Sequence, residues 1–211
     1  MIMNKKAIIA GAAAAALLTT GMLVPSFAFL SGQSRKVVNR FVSGLITVDL
    51  TETLVDPETG KKIDNEPRVY ENTYLTVAGR TVDKDPTPTV KKGSTSCYVY
   101  VGVRNEYTDL FTIEDVGADW TLVADADHKL GDGVTVYKYH AVVQKSDEDQ
   151  QLSAVFEHVG ISEAFDGTFH GESETESAIE ARAFAVQSEN TAYLSDGYAI
   201  DYFSNDDVFE N

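Results

Sequence analysis

The sequence predicts an all-β protein: a jelly-roll-like β-sandwich with few short helices, preceded by a signal-peptide helix. Three observations lead there. Phe and Tyr number 10 each, in a chain also rich in Val and Thr, the residues that fit a pleated, half-buried surface. Several segments alternate apolar and polar side chains with a period of two. Turn residues such as Asp56-Pro57-Glu58-Thr59-Gly60 and Asp132-Gly133 punctuate them. The charge pattern narrows function. Seventeen Lys and Arg stand against 33 Asp and Glu in 211 residues, a formal charge of −16. That balance disfavours nucleic acid, whose phosphates need clustered cations, and docking on anionic lipid. The single cysteine, Cys97, excludes an intramolecular disulfide, a zinc ribbon and a Cys-x-x-Cys redox site.

The amino terminus has the layout of an export signal. Asn4-Lys5-Lys6 is a short positive stretch, and Ala7 to Val24 is uncharged and apolar. Ser26 and Ala28 then occupy the −3 and −1 positions of a cleavage site, so the mature chain is expected to begin at Phe29. An uncleaved anchor is the alternative; the apolar run is at the short end for a bilayer and rich in Ala and Gly. Without residues 1–28 the chain loses Lys5 and Lys6 and carries −18. A secreted protein whose membrane encounter ends with export is expected, stabilised by packing rather than bridges.

Within 29–211, read as one domain, charge is uneven. Residues 29–104 hold 11 basic and 9 acidic groups; residues 105–211 hold 4 and 24. Arg35, Lys36 and Arg40 precede the first acid, Asp49. Copies would therefore attract head to tail at low salt, unless the acids simply form a solvated surface.

Taking the elements in order, residues 44–55 place Ile46, Val48 and Leu50 on one face and Thr47, Asp49 and Thr51 on the other, a strand pattern. Tyr70 to Val82 contains another strand. Lys84 to Pro88 interrupts it, because two prolines two residues apart suit an edge-like extended segment. Residues 96–104 give the clearest strand: Cys97, Val99, Val101 and Val103 on one face, Tyr98, Tyr100, Gly102 and Arg104 on the other. Cys97 thus reads as a buried small hydrophobe rather than a nucleophile. Trp120–Val123 and Val134–Gln144 are further strands, and 145–151 a solvated loop. Leu152 to Phe165 fits a helical turn or a strand and loop. Residues 166–177 read as a loop, and 178–187 are ambiguous between helix and strand. Residues 195–211 read as an acidic, aromatic tail, in part disordered.

Catalytic motifs are scarce. His128, His140, His158 and His170 form no His-Glu-x-x-His pair. No nucleophile elbow, phosphate-binding loop or dinucleotide fingerprint occurs. Asp125, Asp127 and Asp132, or Asp201, Asn205, Asp206 and Asp207, offer oxygen ligands for calcium or a solvated acidic loop, without EF-hand spacing. No cofactor is expected.

Several short motifs occur together in a fixed order: Ser26-Phe27-Ala28-Phe29-Leu30; Asn39-Arg40-Phe41, Gly44 and Ile46-Thr47-Val48-Asp49-Leu50-Thr51-Glu52; Val82-Asp83-Lys84-Asp85-Pro86 with Thr89-Val90; Cys97 to Val101; and Ala183-Phe184-Ala185-Val186-Gln187. This order resembles the TasA/camelysin family of secreted bacterial proteins. The resemblance implies a jelly-roll sandwich, processing by a SipW-type signal peptidase, and a place in the extracellular matrix or on the cell surface of biofilms. It also implies homopolymeric fibres in which a leading strand is donated to the next subunit. Here the donor would be residues 29–43, with Val37, Val38, Asn39, Phe41 and Val42; those residues could equally begin the protein's own sheet. Two other readings stand beside the non-enzymatic fibre subunit. One is a monomeric adhesin or binding module using Tyr98 and Tyr100; the other is a camelysin-like metallopeptidase.

Overall fold

The computed structural model describes residues 45–167, 179–189 and 194–209. They form an all-β, sandwich-like fold of three antiparallel sheets with one short α-helix. The strands are β1 (Val48–Thr51), β2 (Thr81–Asp83), β3 (Thr87–Val90), β4 (Cys97–Asn105) and β5 (Phe111–Val116). Then come β6 (Trp120–Leu122), β7 (Val134–Tyr139), β8 (Gln150–Gln151), β9 (Phe156–Ile161) and β10 (Ile179–Gln187). They pair in the orders β1-β3-β8, β10-β4-β7-β6 and β2-β9-β5.

β4 is the centre of the fold. Its Cys97, Val99, Val101 and Val103 face the main core with Val90, Phe111, Trp120, Phe156 and Val159. The opposite face, with Tyr98, Tyr100, Gly102 and Arg104, has a roof over it. Helix α1 (Ser195–Phe203) and the following 3-10 turn (Asp206–Val208) bring Ala199, Ile200, Phe203 and Phe209 onto Tyr100 and Val136. Residues 195–209 are thus an ordered part of the core, which corrects the expectation of a partly disordered tail. The short helix survives because its apolar residues are buried rather than because of local propensity. Gly102 makes the contact possible: a Cβ there would run into the Phe203 ring. Asp196 fastens the helix start, accepting from Tyr100 Oη at 2.7 Å and from Lys138 Nζ at 2.6 Å. Tyr100 is fully buried, so its expected role as an exposed contact is overturned.

Of the ambiguous segment 178–187, Ile179–Gln187 is strand β10, paired along its length with β4, and residue 178 lies outside the described residues. Leu152–Phe165 supplies strand β9, and β5 is a strand the periodicity did not single out. Of Tyr70 to Val82, only Thr81 and Val82 belong to a strand. Within the 145–151 loop, Gln150 and Gln151 pair with β3 as β8.

The two prolines also behave differently from expectation. Pro88 lies inside β3, the middle strand of its sheet. Lys91 N–H donates to Thr47 O, so odd-numbered residues of this stretch turn their backbone towards β1. Pro86 O and Pro88 O accept from Val155 and Leu152 on the other side. The missing proline N–H groups fall on that side, where regular pairing reaches only Thr89 and Val90. Spacing by two therefore spares the β1 ladder.

Replacing Phe203 by Ala is expected to cost about 3 kcal/mol of stability. Urea unfolding followed by far-UV circular dichroism measures it; a loss below about 1 kcal/mol would mean the roof is not part of the cooperative core.

Candidate functional site: a groove between unpaired strand edges

Register decides which backbone groups remain open. Cys97 and Val143 exchange both N–H···O=C bonds, so odd residues of β4 address β7 and even residues address β10. Tyr98, Tyr100 and Gly102 lie opposite Val186, Phe184 and Arg182. The N–H and C=O groups of Ile179, Ala181, Ala183 and Ala185 therefore point outward, and no described strand pairs with them. By the same logic Val48 and Leu50 of β1 address the open side, away from β3. β1 lies against β10, yet the two belong to different sheets. A nine-residue edge such as β10 is a standing template for another strand.

Between these edges runs a groove of about 900 Å³. β1 contributes Val48, Asp49 and Leu50; β10 contributes Ile179 to Ala183. Its interior reaches Val82, Phe111, Val159 and Ile161, so apolar core is accessible along the seam. Tyr70 to Tyr74 and Thr76 also line it, and Tyr202 of α1 stands at its margin. Asp49, Glu52, Glu71 and Glu180 give it more acids than its cations Lys84 and Arg182.

One end of the groove is tied shut by polar contacts. Lys84 Nζ meets Glu52 Oε1 at 2.6 Å, with both side chains nearly buried at 12% and 10% exposure. Asn72 donates to Thr53 O at 2.9 Å and to Glu52 Oε2 at 3.3 Å, and accepts from Val55 N–H at 3.1 Å. Arg68 sews the neighbouring segments together, donating to Thr51 O and Asp85 O, each at 2.9 Å, and to Thr87 Oγ1 at 2.7 Å. Asp85 accepts from Thr53 N–H and Oγ1–H, both at 2.7 Å. Burial alone would push the Asp85 carboxyl up. The Thr53 bonds and the charges of Arg68 and Lys62 outweigh it and hold the group below its ordinary 3.8.

The residues singled out from sequence distribute as follows. Ser26, Ala28, Phe29, Val37, Val38, Asn39, Phe41 and Val42 lie outside the described residues, as do His170 and residues 168–177. Cys97 is buried and its thiol is pushed up to about 11 by burial, so it carries no thiolate at neutral pH. His158 sits between Asp115 at 2.8 Å and Asp83 at 3.5 Å, while His140 meets Asp119. Among the described residues no three His, Cys, Asp or Glu gather as metal ligands. Asp125 spends its two carboxylate oxygens on the N–H groups of Lys129 and Leu130, closing its own loop. Among the described residues no helix is long and apolar enough to cross a membrane. The groove itself escaped sequence reasoning, although the alternation in 179–187 with its row of small alanines was its visible trace.

Comparison with known proteins returned no match: no family model, no curated protein and no solved structure.

Two outcomes follow from the polar end. Lys84→Ala leaves Glu52 buried without its partner and is expected to cost about 3 kcal/mol in urea unfolding. Because the folded Asp85 carboxyl titrates below 3.8, its contribution is complete above that pH and lost as pH falls through the lower folded value. Unfolding free energy should therefore hold from neutrality to about pH 4 and drop below it, and Asp85→Asn should flatten that acid limb while lowering the neutral plateau.

Proposed function

We propose that this chain is a secreted structural subunit of extracellular fibres, in which the leading segment of one copy enters the groove of the next as a strand. One observation carries the reading: two strand edges that no described strand pairs with border a groove that reaches the apolar core. A folded protein that leaves such a seam open gains apolar burial and backbone pairing when a strand fills it. Residues 29–43 have suitable chemistry. Val37, Val38, Phe41 and Val42 supply apolar side chains, and Arg35, Lys36 and Arg40 supply charge opposite to the acids along the groove. Fifteen residues extend to about 50 Å, ample to leave one subunit and lie along another. A contact between two different surfaces, repeated without closure, produces a filament.

The resemblance to the TasA/camelysin family supports the same reading, including export through a SipW-type signal peptidase and residence in the matrix or on the cell surface. In this reading the protein works by assembly rather than by catalysis.

The test compares a chain beginning at Phe29 with one beginning at Ser43, by electron microscopy and light scattering over time. Fibres from the longer chain and a folded monomer from the shorter one are expected. Fibres of equal yield from both, or a persistent monomer from the longer chain at high concentration, would overturn strand donation. The second result would leave residues 29–43 as part of the protein's own sheet.

A further inference from the structure

Residues 70–77 have the composition of a strand but not the pairing of one. Tyr70, Thr73, Tyr74, Thr76 and Val77 are residue types that favour sheets. Yet the stretch runs without joining any ladder, and Tyr70, Leu75 and Val77 are 77%, 56% and 37% exposed. A ladder does begin just before it. Glu52 and Val69 exchange both N–H···O=C bonds at 2.8 Å as an antiparallel bridge. Continued in register, that bridge would set Leu50 opposite Glu71 and Val48 opposite Thr73. It does not continue. The two segments part, and Val48, Leu50, Glu71 and Thr73, which would have paired, all line the groove. The backbone N–H and C=O groups of residues 71–74 make no hydrogen bond among the described residues.

We infer that 70–77 is a latent strand, the second jaw of a fork into which another copy's leading segment inserts. This rests on the fibre reading and adds a structural change to it. The incoming strand pairs with the Val48/Leu50 edge on one side, and residues 71–74 close onto its other side. One insertion then gives partners to the backbone groups of residues 71–74 as well as to those of the Val48/Leu50 edge. Because the two jaws run antiparallel to each other, the donor is parallel to one and antiparallel to the other. The acceptor gains a strand that the free subunit lacks. The occupant is the 29–43 segment of a second copy: its cations suit the exposed Glu71 on the latent strand, and its apolar residues suit the interior beneath.

Amide hydrogen exchange of the chain beginning at Phe29, as monomer and as fibre, tests this. Exchange at residues 71–74 is expected to slow at least tenfold on assembly, together with that at 48–50. Thr73→Pro removes an N–H that the free subunit does not use, at an exposed position. It should leave the monomer's melting temperature within a few degrees and slow fibre growth at least tenfold, and Thr73→Ala, which keeps the N–H, should slow growth far less. If residues 48–50 become protected and 71–74 do not, the latent strand is wrong and the fibre reading stands. Protection of 71–74 already in the monomer would show the fork zipped on itself and overturn the inference. Absence of any assembly would remove both.

Discussion

The fold is organised by double coverage of one strand. β4 is buried on both faces, so its two rows of side chains must each find an apolar partner. The valine row meets the facing sheets; the Tyr100 row meets a helix built from the end of the chain. A strand covered on both sides loses the hydrophobic-in, polar-out signature of a solvated sheet. Tyr100, at the centre, places an aromatic ring in the core and its hydroxyl on Asp196, and burial together with that carboxylate pushes its ionisation far up. The hydroxyl therefore stays a hydrogen-bond donor at any physiological pH.

What the sequence made legible and what it hid divide along physical lines. Strands with strict alternation were readable: Cys97 to Arg104, the start of Val134–Gln144, and the face shared by Val48 and Leu50. Each is decided by local chemistry, a side chain every second residue towards the core. The helix at 195–203 was hidden because its identity comes from a distant notch. Nothing within SDGYAIDYF announces that Gly102 leaves room for Phe203, although a glycine inside a valine-rich strand is the kind of signal that asks what approaches it. Residues 70–77 erred in the opposite direction: their composition is that of a strand, and pairing, a long-range matter, is missing. The groove was illegible for the same reason, being defined by bonds that are absent.

The charge distribution acquires a location in the structure. The described acids serve structural contacts in several places. They cap turns, as Asp56 and Asp125 do; they anchor the roof through Asp196; and they line the seam beside Lys84 and Arg182. Each use is an acceptor matched to particular donors, which lets a strongly anionic protein remain folded despite its own repulsion.

Pro86 and Pro88 have a bearing on how a middle strand can do with so little on one side. β8 is only two residues long, yet Leu152 and Val155 N–H still donate to Pro88 O and Pro86 O, and both prolines are fully buried. On that flank the two imino rings carry no hydrogen, so at those positions the short neighbour leaves no buried donor unpaired. A residue that cannot donate sits where the sheet has no acceptor to offer, and an irregular, sparse cover becomes sufficient for a strand that lies in the interior.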